Sequence, residues 1–226
     1  MNKSITSYTS STSKTSYTFT KKSVMSFFKI SKSEGNSAWI GGMYLVLMIF
    51  VLYMLFLQRT KMDYIVENVE DILTTSTLGG LAIDTRALAL TNDLILSQPD
   101  ESKDTILMLI GDNLRMTQSG NVYSGHSPVL NSDFADAYVK NLTIYNVYAT
   151  GDIEIIRYVA VSDTDPTLIK TIDHAILSDG IKNPQGETIT ETGTYIEFVF
   201  PIRVCGFNRM ATKGEFVTVE QVIMSP

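Results

Sequence analysis

The stretch AWIGGMYLVLMIFVLYMLFL, residues 38–57, holds twenty residues in a row without a charged side chain. At 1.5 Å rise per residue, a helix of that length spans about 30 Å, the thickness of a bilayer hydrocarbon core. The reading of this stretch decides the architecture. A transmembrane helix over 38–57 divides the chain into a segment before it and a segment after it. Trp39 and Tyr44 near one end and Tyr53 near the other suit interfacial aromatic positions.

The two flanks differ in charge. Residues 1–37 hold six lysines (Lys3, Lys14, Lys21, Lys22, Lys29, Lys32) against Glu34 alone, a balance of +5. The whole chain carries −6, so the other 189 residues carry −11. The positive-inside rule then expects a single-pass membrane protein with a cytoplasmic N-terminus and an extracytoplasmic C-terminal domain. Arg59 and Lys61 soften the contrast before Asp63, Glu67, Glu70 and Asp71. A cleavable secretory signal has a shorter basic region and an apolar run of about 7–15 residues, which does not fit. The tail up to Thr20 is mostly Ser, Thr, Tyr and Lys, and such composition offers too little apolar surface to offset ordering entropy. It reads either as a removable leader or docking tail, or as a solvated extension that helps set topology.

Helical periodicity continues past the membrane. Met62, Ile65, Val69 and Ile72 recur at spacings of three and four. One helix of about forty residues is therefore expected, with 58–80 as its extension and Gly79-Gly80 as its first break. The stripe suits either the chain's own domain or a seam between neighbouring subunits.

Residues 81–226 are long enough for one core. Ser97, Pro99, Asp100, Glu101 and Asp104 mark a helix start, with Ile106, Leu107, Leu109, Ile110 and Leu114 on its apolar side. Residues 119–128 read as a loop, and 131–140 as a short helix with Phe134 and Tyr138 one turn apart. Leu142–Tyr148 and Ile153–Val161 read as strands around a Thr150-Gly151-Asp152 turn. Asp165-Pro166 is expected to open another helix, with Leu168, Ile172, Ala175 and Ile176 on one face. Residues 195–204 alternate strictly, with Pro201 marking an edge or bulge. A loop over 206–214 then leads to a last strand over 216–224. The expected class is α+β: a long N-terminal transmembrane and amphipathic helix, then a small extracytoplasmic domain with helices and an antiparallel sheet of about four strands.

The chemistry-bearing residues are sparse. One cysteine excludes a disulfide framework, and two histidines leave little for a metal site. No nucleophile elbow, Walker loop, dinucleotide fingerprint or zinc-binding spacing occurs. His126 reads as an exposed turn residue, and His174 as a surface residue of the expected helix at 168–176. Asp163 and Asp165 read as helix-cap chemistry, and Asp133 and Asp136 as a solvated face. Cys205 reads as a small apolar residue at a strand end. Asn141-Leu142-Thr143 fits a glycosylation sequon but begins a strand. No catalytic residue, cofactor, metal, nucleic-acid partner or small-molecule substrate is indicated.

Gly35-Asn36-Ser37-Ala38 before the apolar run, and Val69 to Asp84 after it, resemble the corresponding parts of TadE-like minor pilins (pseudopilins) of tight-adherence, Flp-type pili. The resemblance covers about residues 35–90 and extends only in outline beyond. It implies a structural subunit stored in the membrane and drawn into a filament or secretion machine, with leader cleavage after Gly35. Its partners would be the lipid bilayer and other pilin or secretion-machine subunits. Such pilins carry a Glu shortly after that Gly, whereas Asn36–Ile40 contains no acid. Small residues Ala38, Gly41 and Gly42 would let helices approach closely, and Met62, Ile65, Val69 and Ile72 complete the expected helix interface. A bitopic scaffold of a conjugation or secretion complex shares the same outline, and an extracellular ligand-binding module is the third expectation.

Overall fold

The computed structural model describes residues 35–91, 93–132 and 134–219. The chain falls into two compact units that divide after Leu52. In the first, every residue from Trp39 to Leu52 is an exposed helical residue. It belongs to α1, Gly35–Gly80, a helix of 46 residues. Its apolar part is long enough to cross a membrane by length and composition, and none of that window is buried.

The second unit combines the rest of α1 with α2 (Thr85–Thr91), α3 (Pro99–Leu114) and one antiparallel sheet. Its strands are β1 (Thr117–Ser119), β2 (Val122–Ser124), β3 (Ala137–Val147), β4 (Asp152–Ala160), β5 (Leu168–Ile176), β6 (Gly193–Val204) and β7 (Phe207–Thr218). β4 and β6 flank β3 on opposite sides, since both pair with Asn141–Tyr145. β2 shares β4's side, because it pairs with Tyr138, which β6 also pairs. The main sheet thus runs β7-β6-β3-β4-β5, with β1–β2 as a short hairpin beside the start of β3. The class is α+β with seven strands among the described residues, where the sequence suggests about four.

One face of the sheet carries Leu142, Ile144, Ile156, Tyr158, Ile196, Phe198 and Phe200 into a core with Ile65, Val69 and Leu73 of α1 and Ile106, Ile110 and Leu114 of α3. A smaller cluster on the other face joins Tyr145, Ile153, Ile155, Ile189 and Tyr195. Both sets alternate along their strands because successive side chains point to opposite faces.

Several expectations are corrected. Residues 131–140 are not a helix: Asn131 has a left-handed φ of 48°, and the chain enters β3 at Ala137. Asp133 lies outside the described residues. Residues 168–176 are β5, not a helix, paired with β4 over nine residues. Leu168, Ile172 and Ile176 fit either period, and pairing with β4 decides for the strand. His174 is therefore on a strand. Residues 206–214 are not a loop. Cys205 and Gly206, with φ of 49° and 83°, make a two-residue turn, and β7 pairs with β6 over twelve residues. Positive φ at both central residues is the geometry that matches strand twist in a tight hairpin. Cys205 is exposed in that turn rather than packed at a strand end. Within the loop expected at 119–128, Val122–Ser124 forms β2. α3 starts at Pro99 after Gln98, which makes no side-chain cap, so Ser97 is not the cap. The strand expected over 216–224 is the end of β7, which stops at Thr218, and residues 220–226 lie outside the described residues. The turn at 150–152 joins β3 to β4, α1 ends at Gly80, and Pro201 lies past Val199, where β6 keeps only β7 as neighbour.

Candidate assembly interface

The residues expected to form a helix interface divide between the two units. Gly41 and Gly42 are flanked by open space, so a Cβ at either position would meet nothing within 4 Å. They stand among exposed apolar residues, with Trp39, Tyr44 and Phe50 each more than half exposed. Ala38 and Gly35 are in the same helix. The segment before Gly35, including the leader expected there, lies outside the described residues.

The second group is used inside the chain. Ile65 and Val69 are buried, and Met62 and Ile72 pack half-buried against the same core. The face extends beyond those four residues. Leu73, Ser76, Thr77 and Gly80 are buried as well, continuing the spacing of three and four to the end of α1. The stripe is thus a packing face for the chain's own domain. Stretch 58–80 is a core element as well as an extension.

Small residues set the crossing of α1 over α3. A Cβ on Gly80 would overlap Ile106 Cγ1 and lie 3.1 Å from Ile106 N and 3.2 Å from Ser102 O. Asn113 Nδ2 donates to Ser76 Oγ at 3.0 Å, joining the two helices. The hydroxyls of Thr77 and Ser102 are buried nearby without a hydrogen-bond partner. Gly79-Gly80 reads in the sequence only as a break; its role in close approach needs the position of α3.

Charged groups pin the helices to the sheet at two places. Lys213 Nζ on β7 lies 2.7 Å from Glu70 Oε2 on α1 and 3.9 Å from Glu215. Burial, reinforced by the Glu70 carboxylate, raises the Glu215 carboxyl above its ordinary range. At the start of α3, Asp100 accepts from Lys170 Nζ and from the Tyr158 hydroxyl, both at 2.7 Å. The Lys170 hydrogen bond, then that of Tyr158, holds the Asp100 carboxyl below its ordinary value. Lys103 Nζ sits 5.4 Å from the Tyr158 ring centroid, a cation over an aromatic face.

A polar cleft lies where β3 bulges between Val139 and Asn141. Tyr138 donates to Asp163 Oδ1 at 2.9 Å, and Lys140 stands 3.8 Å from Glu197 and 3.9 Å from Asp163. Burial and the Asp163 carboxylate push the Tyr138 hydroxyl up to about 12. These groups satisfy one another, which is the chemistry of a structural ion-pair cluster. His126 is exposed in the turn after β2 and His174 exposed on β5. Among the described residues no three His, Cys, Asp or Glu side chains are placed to hold a metal. Asn141 is in the middle of the sheet, paired on both sides, with its amide oxygen accepting from Thr143 Oγ1.

No protein-family model, curated protein or solved structure matches this chain.

Proposed function

We propose that this chain is a single-pass membrane subunit that assembles with other subunits, a minor pilin or pseudopilin of a surface pilus or a related secretion machine. One observation carries the reading. In α1 a wholly exposed apolar half is followed, without a break, by a half that is the core helix of an α+β domain. A lipid bilayer covers the first half while the subunit is stored, and neighbouring helices replace lipid when it is drawn into an assembly. Gly41 and Gly42, with no Cβ and open space around them, are where a neighbouring helix approaches closest. The resemblance of residues 35–90 to TadE-like minor pilins supports the same role, with the domain extracytoplasmic and cleavage after Gly35. The reading assigns the chain no catalytic step and no cofactor.

Intact mass and N-terminal sequencing of the membrane-extracted protein test it. A mature chain beginning at Asn36 and crosslinking to other filament subunits is the expected result. A full-length chain recovered only as isolated monomers overturns it. The bitopic-scaffold reading has one observation of its own: Asn36–Ile40 lacks the acid that such pilins carry. A retained tail, with co-purification of a conjugation or secretion ATPase, would select that reading.

A further inference from the structure

The β6–β7 hairpin ends in a turn whose charge is opposite to that of its domain. Between Glu197 and Glu215 the chain holds Arg203, Arg209 and Lys213 and no acid, although residues after the apolar run are strongly acidic overall. Lys213 is paired with Glu70, whereas Arg203 and Arg209 make no side-chain ion pair or hydrogen bond among the described residues. Phe207 is 70% exposed and Met210 45% exposed beside them.

The contacts of α1 fix where this turn lies along the helix. Beyond Gly80, Ile83 bridges Leu96, and Leu96 N donates to Asn146 Oδ1 near the end of β3. There Tyr145 pairs with Gly193, the first residue of β6. α1 therefore ends where β6 begins, and the two run in opposite directions. From Lys213, level with Glu70, β7 runs back six residues to Phe207, roughly 20 Å at about 3.3 Å per residue. The same distance along α1 is about thirteen residues, which leads from Glu70 back to Leu57. The burial of α1 changes at the same distance. Gln58 is half-buried on the same face as Met62 and Ile65, while Val51–Leu57 are all exposed. The hairpin turn thus comes level with the last residue of the uncharged run.

We propose that this turn is a second membrane contact, in which Phe207 enters the interface of an anionic lipid surface and Arg203 and Arg209 meet its phosphates. The inference rests on the membrane reading of 38–57. An exposed aromatic flanked by guanidiniums suits that interface, since the ring occupies the acyl boundary while long cationic side chains reach the headgroups. A rigid two-residue turn holds the groups there at little cost in loop entropy.

The chain carries its own reporters: Trp39 is its only tryptophan, in the anchor, and Cys205 its only cysteine, in the turn. The full chain is labelled at Cys205 with a fluorophore and reconstituted into vesicles of phosphatidylcholine, with or without phosphatidylglycerol, whose acyl chains are brominated. Trp39 and the Cys205 label are both expected to be quenched in the phosphatidylglycerol vesicles. R203Q/R209Q is expected to lower the ratio of seated to free turn about thirtyfold, roughly fivefold per guanidinium, with Trp39 quenching unchanged. F207S also lowers it. Trp39 quenched with the Cys205 label in water overturns the second contact and leaves the anchor standing. Trp39 in water overturns both. Label quenching that ignores lipid charge and both arginine substitutions overturns the assignment to phosphates. Shielding that vanishes when protein is diluted with lipid means a second copy covers the turn, which also overturns the proposal.

Discussion

At the scale of single residues, glycines of the same helix have opposite roles. Gly80→Ala gains some helix propensity, worth up to about 1 kcal/mol. It also drives a methyl into Ile106 and against the α3 backbone, and overpacking of that kind costs about 1–3 kcal/mol. The steric term wins, so denaturant unfolding of the detergent-solubilised chain should show a lowered midpoint. Gly42→Ala, with open space around it, should leave the midpoint unmoved. Two carboxylates give the pH dependence opposite signs. Asp100 has a lowered folded value, so it adds stability above its ordinary 3.8 that is lost as pH falls through the folded value. Glu215 has a raised folded value, so its contribution is present below its ordinary 4.5 and lost as pH rises through the folded value. Thermal unfolding against pH should therefore lose part of its acid limb in Asp100→Asn. In Glu215→Gln it should lose part of the decline on the other side.

At the scale of elements, α1 changes its neighbours partway along. Leu73 is wholly buried between the sheet and α3, and Leu73→Ala should cost about 2–5 kcal/mol, while Tyr64→Ala on the exposed side should stay within about 0.5 kcal/mol. Thr77 offers a sharper contrast. Its hydroxyl is buried without a partner, so Thr77→Val removes a polar group that gains nothing from burial and should be neutral or mildly stabilising. Chemical denaturation of each variant checks these three. The dependence of the sheet on α1 also sets where the domain can be cut. A fragment starting at residue 58 keeps Ile65, Val69 and Leu73 and should give native-like near-ultraviolet dichroism. A fragment starting at 81 removes one side of the core and should not.

At the scale of the whole molecule, the net charge of −6 is an average over unlike parts: a basic segment, an uncharged helix and an acidic remainder. With residues 38–57 in a bilayer, the full chain should stay with membranes through alkaline carbonate extraction. Replacing several apolar residues of that run by Lys should release it, because each charge at a helix centre costs about 2.5–3.5 kcal/mol on insertion.

Strong local periodicity was legible from the residues alone. The apolar run, the stripe from Met62 to Ile72, the helix after Pro99, the turn at 150–152 and the alternation of β6 each depend on neighbours within a few positions, where side-chain period and turn chemistry act. Long-range pairing decided the rest. Leu168–Ile176 fits a helix until β4 supplies nine residues of ladder, and Gly206–Gly214 looks like a loop until β6 lies beside it. In β7, Gly214 is opposite Glu197, and the phenol of Tyr195 two residues away on β6 occupies the space a side chain would need, so a residue that reads as a breaker is a strand position. The stripe announced a buried face, but only the folded domain shows that the chain buries it itself. The ion pair of Lys213 with Glu70 likewise joins β7 to α1 across 143 positions, a relation that no local pattern encodes.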